Sequence, residues 1–192
     1  MRRISIYMFL TTFLMVSLLT FLTAADAQPI KIAYSDTKKS IAKTYMLKYI
    51  LEQKVGIKVE ITKMSLEEAW KNVSESKYDA MVCASLPEQK VLYDKYRLNV
   101  VDFGPNCRDK KNTCHTIVRK GLQEKRPALA RFLYNFFLCE RKLNSMLALV
   151  ERDEIQEKVA HKWMKDHDDW ITHIMGYFFL QGFTRGDWGE QI

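Results

Sequence analysis

The sequence contains no internal repeat and no low-complexity linker; 7 glycines and 4 prolines are scattered over 192 residues. No flexible or proline-rich spacer therefore divides it. It also lacks a Gly-x-Ser-x-Gly elbow, a phosphate-binding loop and a Cys-x-x-Cys pair. An exposed strained nucleophile, a backbone cradle for phosphate and a dithiol redox centre are thus all without their residues. His161, His167 and His173 recur every six residues. That spacing scatters them round a helix instead of pairing them at i, i+4 to hold a metal. His167 precedes Asp168 and Asp169, but consecutive helical residues point in different directions, which makes this a solvated polar face. Cys107, Cys114 and His115 have no apparent fourth ligand, and their spacing fits no zinc ribbon or finger. The expectation is a protein that is not an enzyme and holds neither metal nor cofactor.

The net charge of +7 invites a search for a nucleic-acid face. The basic residues fall in mixed-sign stretches at 38–39, 108–111 and 119–126, without interleaved aromatics on one face. This is a solvated basic surface, and no nucleic-acid partner is expected.

What is present begins at the amino end. Arg2 and Arg3 precede an uncharged apolar run over residues 4–22, and Ala25-Asp26-Ala27 follows. Positive n-region, apolar h-region and small residues at the cleavage positions make a secretory signal, cut before Gln28. A retained membrane anchor is the alternative, since the run is just long enough to span. The small-residue exit and the lack of basic residues straight after it favour cleavage. No Cys lies near the cut, which excludes lipid attachment there. The domain plan is a signal at 1–27, one α/β domain at 28–175 and a tail at 176–192, periplasmic or otherwise extracytoplasmic. One domain of this length can bury a sizeable core. Outside the cytoplasm, four cysteines favour disulfides. Cys107 and Cys114 flank a polar segment that reads as a loop closed by its own bridge; the pairing of Cys83 and Cys139 stays open.

Along the domain, residues 29–34 read as a strand, and 38–53 as a helix with Ile41, Ala42, Tyr45, Met46, Tyr49 and Ile50 at helical spacing. Gly56 suits its left-handed cap. Residues 57–62 alternate apolar and polar, as in a strand with one wet face. Ser65-Leu66-Glu67-Glu68 is a capping box opening a helix to about Ser76. Residues 78–84 form a continuous apolar strand. Ser85 caps a helix with Pro87 in its first turn. Strands at 98–103 and 116–118 follow, then helices at 128–138, 142–150 and 153–175, the last opened by Asp153 and Gln156. The alternation predicts an α/β fold, a mainly parallel sheet flanked by helices. Ligands of such sheets gather at the carboxyl ends of strands.

The segment 30–50, Tyr78-Asp79-Ala80 through Ser85-Leu86-Pro87 to Tyr93 and Tyr96, and Val101-Asp102-Phe103-Gly104-Pro105-Asn106 carry a resemblance. So do Glu157, Ala160, Trp163-Met164 and Asp169-Trp170-Ile171. Together they resemble the glycine betaine/proline-type (quaternary amine) substrate-binding proteins of ABC importers. The resemblance implies a receptor outside the cytoplasm for a small polar or quaternary-amine solute, serving an ABC permease. Its fold would be a single lobe, half of a type II periplasmic-binding-protein fold, because only about 20 residues separate Asn106 from the helix near Ala128. A stretch that short builds no second lobe with its own core. Family members hold the trimethylammonium group in an aromatic box; at two such positions this chain has Thr37 and Ser85. The candidate ligand site is Tyr34, Asp36, Thr37, Ser85 and Asn106, although Ser85 also suits a helix cap and Asp36 and Asn106 suit turns. Trp163 and Trp170 read as core. The missing second jaw, the basic surface and the aromatic tail suggest an alternative, an exported adaptor that contacts a membrane sensor or permease. Amino-terminal sequencing of the exported protein is expected to start at Gln28; a species retaining residues 1–27 would instead mark an anchor.

Overall fold

The computed structural model describes residues 28–107, 113–138, 140–150 and 157–180. The signal segment, Cys139, the capping pair at Asp153 and the tail beyond residue 180 lie outside them. Strand β1 is Ile30–Tyr34, and helix α1 is Lys38–Tyr49, continued by a π-helical turn over Ile50–Val55. Gly56 ends that turn with a positive φ of 83°, as its residue type required. Strand β2 is Val59–Lys63, followed by α2, Leu66–Ser74. Both arms of the capping box form there: the Ser65 hydroxyl accepts from the Glu68 N–H, and the Glu68 carboxylate accepts from the Ser65 N–H. Those bonds hold the exposed Glu68 carboxyl below its usual pKa.

Strand β3 is Ala80–Leu86, α3 Lys90–Tyr96, β4 Val100–Cys107 and β5 Thr113–Arg119. Helices α4, Leu122–Lys125, α5, Pro127–Asn135, α6, Glu140–Val150, α7, Glu157–Asp166, and α8, Asp168–Leu180, complete the described chain. The strands form one sheet in the order β2-β1-β3-β5-β4. β2, β1 and β3 are parallel neighbours, and β5 runs antiparallel to both β3 and β4. Four of the five strands therefore point the same way, as a mainly parallel sheet requires.

Helices cover both faces. On one side Ile30 and Ile32 of β1 pack with Met46, Leu47 and Ile50, and with Trp163, Met164 and Ile171 from the last two helices. On the other, Ala33, Met81, Ala84 and Ile117 meet Trp70 and Val73 of α2. The helix expected from Ser85 starts later, at Lys90. Ser85 is held in the ladder opposite Cys114, and a turn with Gln89 N–H donating to Ser85 O at 2.8 Å carries the chain out of the sheet. The local Ser-x-Pro-Glu pattern lost to strand pairing. The single helix expected at 153–175 is two; His167 separates them, its carbonyl accepting from Ile171 at 3.1 Å.

The amino ends of β1 and β3 and the carboxyl end of β5 converge on Asp79. Its carboxylate accepts from the Lys31 N–H at 3.0 Å and from Arg119 Nε at 2.8 Å. Arg126 Nη1 stands 3.6 Å away. Burial pushes the Arg126 guanidinium below its ordinary pKa, with Arg119 adding to the effect and Asp79 opposing it. Asp79 and Arg119 are both buried, and removing Arg119 leaves the Asp79 carboxylate with the more distant Arg126 as its cation. Arg119→Ala is expected to cost about 3 kcal/mol in urea-denaturation stability; a loss below about 1 kcal/mol, the ordinary value of a surface pair, would show that the hub is not structural.

Candidate functional site

The carboxyl ends of β1 and β3, with the start of α1, make one rim of the sheet. Tyr34 closes β1, and its buried ring meets Tyr45 of α1 edge-on with centroids 6.2 Å apart. Thr37 is the N-cap of α1, its hydroxyl accepting from the Ser40 N–H at 3.3 Å. The Ser40 hydroxyl in turn accepts from the Ser35 N–H at 3.2 Å. These bonds satisfy donors that a helix start leaves free. Asp36 stands exposed between them and pairs with Lys63 at the end of β2. Ser85 lies half-buried near the tip of β3. Tyr34, Asp36 and Thr37 are thus gathered at one strand end, with Ser85 on the tip of the neighbouring strand.

Asn106 is placed differently. It is 2% exposed, and both polar atoms of its side chain are bonded inside the protein. Its amide donates to Val82 O at 2.6 Å and to Thr116 Oγ1 at 2.7 Å. Its Oδ1 accepts from Nζ of Lys43, a fully buried lysine of α1. The backbone carbonyl of Asn106 also receives the Leu138 N–H at 2.9 Å. Asn106 sits under the rim as a staple among α1, β3, β5 and the end of α5. The turn expected at Gly104-Pro105-Asn106 is strand, because β4 continues through them.

This staple depends on bulges. Opposite Thr116, β3 places two residues, Val82 and Cys83, where regular pairing allows one. Both then face the α1 side with Cys114. β4 shifts register twice, between Asp102 and Pro105 and between Pro105 and Cys107, and Gly104 supplies a positive φ of 88°. Cys114 is joined to Cys83, its Cα 4.8 Å away, and not to Cys107 as the loop spacing suggests. The β3 bulge turns Cys83 toward Cys114, which the sequence did not reveal. Cys107 lies directly across from Cys114 in the β4–β5 register.

Sequence reasoning also missed a polar pair. His115 Nδ1 lies 2.9 and 3.0 Å from the two oxygens of Asp102, and the nearer bulge gives Asp102 a second donor, the Gly104 N–H at 2.7 Å. A histidine next to the start of the strand expected at 116–118 was the available signal. The tryptophans of the described residues are engaged in packing, Trp70 fully buried. Trp70 donates to Gln89 at 2.9 Å under α3, and Trp163 meets Trp170 edge-on and stacks on His167 with centroids 4.0 Å apart. Among the described residues no group of acidic, histidine or cysteine side chains could hold a metal.

Comparison with known proteins places this geometry. Residues 28–103 and 90–166 match the family described as the substrate binding domain of ABC-type glycine betaine transport system. The glycine betaine/carnitine transport binding protein of Listeria monocytogenes serotype 1/2a (strain 10403S) is 32% identical over 81 residues. Those residues are 42% of this chain and 27% of that protein, so the match spans about a quarter of the relative's length. In structure the chain is similar to lactococcal OpuAC in a closed-liganded conformation with glycine betaine: TM-score 0.67, 16% identity, 76% of this chain and 98% of that one. It is similar to a choline binding protein of an ABC transporter in complex with choline: TM-score 0.68, 12% identity, 76% and 90%. The glycine betaine/L-proline binding protein of Borrelia burgdorferi gives TM-score 0.67 at 12% identity, over 75% and 95%. At these identities the structural likeness establishes the fold.

Beside Lys43 the Thr44 hydroxyl is buried without a hydrogen-bond partner among the described residues. A buried, unsatisfied hydroxyl costs about 1–3 kcal/mol. Thr44→Val keeps the shape and removes that cost, so thermal unfolding should show the variant more stable by about 1 kcal/mol; a destabilised variant would reveal a partner for the hydroxyl.

Proposed function

Because the chain belongs to the family of substrate-binding domains of ABC-type glycine betaine transport systems, we propose that it is a one-lobed solute-binding protein. In this reading residues 1–27 export it, and it works outside the cytoplasm as a binder, not an enzyme. The rim of Tyr34, Asp36, Thr37 and Ser85 receives a small polar or quaternary-amine solute, which an ABC permease takes up. The observation that carries the reading is the family match from residue 28 to 166, laid on a single sheet whose strand tips stand together. Among the described residues no helix is long and apolar enough to cross a membrane.

The chemistry of the rim sets its strength. A trimethylammonium group is held by aromatic faces, each contributing about 0.5–2 kcal/mol. Thr37 and Ser85 offer hydroxyls in place of two such faces, and the Thr37 hydroxyl already caps α1. Tyr34, itself buried, and Tyr45 are rings at this end of the sheet, and Asp36 supplies a negative charge that it shares with Lys63. One face of a solute stays uncovered, whereas tight sites enclose most of the ligand surface. Millimolar binding, about −4 kcal/mol, is what such a half-site delivers.

Tyr134 and Phe137, both exposed beside β4, favour a second reading in which the same lobe meets a membrane sensor or permease without carrying solute. Titration of isotope-labelled residues 28–192 with glycine betaine, choline and proline separates the two. The solute reading expects saturable amide shifts at Ser35, Asp36, Thr37 and Ser85 in the millimolar range. A spectrum unmoved by all three solutes would remove the solute role and leave the adaptor.

A further inference from the structure

The base of the sheet, opposite the rim, carries a surplus of partly buried positive charge. Arg119 ends β5 and Arg126 precedes α5. Both guanidiniums lean on one carboxylate, that of Asp79. Arg119 Nε donates to Asp79 Oδ1 at 2.8 Å. Arg126 Nη1 stands 3.6 Å from Asp79 Oδ2, and its Nη2 donates to the Gln28 carbonyl at 3.1 Å. Two cations thus share one anion where only 11% and 20% of their side-chain surfaces reach solvent. Burial holds Arg126 below its ordinary pKa, opposed by Asp79 and aided by Arg119, the mark of a cation short of countercharge. Nη1 and Nη2 of Arg119 make no hydrogen bond among the described residues. In the same residues Thr44 Oγ1 alone is buried and unpaired, so these donors open to the surface. Over 119–126 the chain supplies Arg119, Lys120, Lys125 and Arg126 against Glu124. The Lys120 N–H donates to the Asn99 carbonyl at 3.1 Å, which lays this segment beside the exposed Arg97 turn.

We propose that this corner is an anion site for a phosphoryl group, with Arg119 and Arg126 as its donors and the exposed Lys120 adding charge. Guanidinium edges take oxyanions through charge-assisted N–H···O bonds. A carboxylate offers two oxygens in one plane, and Asp79 already fills that role between the arginines. A phosphoryl group offers three oxygens in different directions and carries more charge. It can accept from both guanidiniums at once and neutralise the surplus. Soluble phosphate compounds and phospholipid headgroups share this chemistry. An anion held there joins the end of β5 to the start of α5 and stabilises the fold by mass action. The site lies at the pole away from Tyr34, Thr37 and Ser85, and it stands whether or not a solute binds at that rim.

Isotope-labelled protein is titrated with inorganic phosphate at constant ionic strength, following the Nε–H signals of Arg119 and Arg126 together with the rim amides. Expected are saturable shifts at both arginines in the millimolar range and a melting temperature that rises with phosphate. Arg126→Gln keeps an amide donor for the Gln28 carbonyl; its affinity should fall about tenfold or more, the worth of one charge-assisted bond. Circular dichroism checks the fold of that variant. A second arm uses vesicles of phosphatidylcholine, alone and with phosphatidylglycerol. Pelleting with the phosphatidylglycerol vesicles, reversed by phosphate and lost in Arg126→Gln, assigns the group to a lipid headgroup. Phosphate binding without pelleting assigns it to a soluble compound. Wild-type arginine signals unmoved by phosphate overturn the site, whatever the fold of the variant. So do shifts confined to the rim, or a folded Arg126→Gln protein that binds phosphate as tightly as the wild type.

Discussion

Strand β5 runs against its neighbours, and the polar and covalent ties across the middle of the sheet end on it. Arg119 reaches Asp79 at one end; Thr116 takes the Asn106 amide at the centre; His115 grips Asp102; Cys114 holds Cys83. A parallel strand in that place would need a long crossover. The chain instead turns back after Cys107 and inserts β5 between β3 and β4. From this insertion follow the bulges on both sides of Thr116, the burial of Asn106 and the bridge between Cys83 and Cys114. The local cost of an irregular ladder is offset by a set of satisfied buried polar groups. Such networks are stable only when nearly complete.

The parts of the fold legible in sequence are those fixed by local physics. The apolar spacing over 38–53 gave the first helix, Gly56 its left-handed end, and Ser65 with Glu68 the start of the second, because each is decided within one or two turns of chain. The direction of β5 is decided by what it lies beside, and Thr116, Ile117 and Val118 carry no mark of it. Ser85 shows the same limit from the other side: its neighbours spell a helix start, yet pairing with Cys114 keeps it in the strand. At the site, Tyr34, Asp36 and Thr37 were readable because a strand end followed by a cap is a local pattern. Asn106 was assigned to the same rim because it follows the last readable strand residue; bulges that sequence does not announce lengthen that strand and turn the side chain inward to Lys43.

Relation to the family lies in architecture more than in side chains. The match reaches across both covering layers of helices, while identity to the solved relatives is 12–16%. A sheet of this topology tolerates that divergence because its core asks only for apolar residues of suitable volume on each face. A site for a cation has no such tolerance, since its affinity depends on specific rings. Fold and specificity are separable wherever sites are carried on widely used scaffolds.

The Arg126 side chain, bonded to the Gln28 carbonyl at 3.1 Å, fixes where the described chain enters the sheet: at the Asp79 end, the pole away from the strand tips. The polarity of a parallel strand, amino end at one pole and carboxyl end at the other, thus keeps Gln28 and the rim apart by the length of β1, so the two poles of the sheet can be engaged independently.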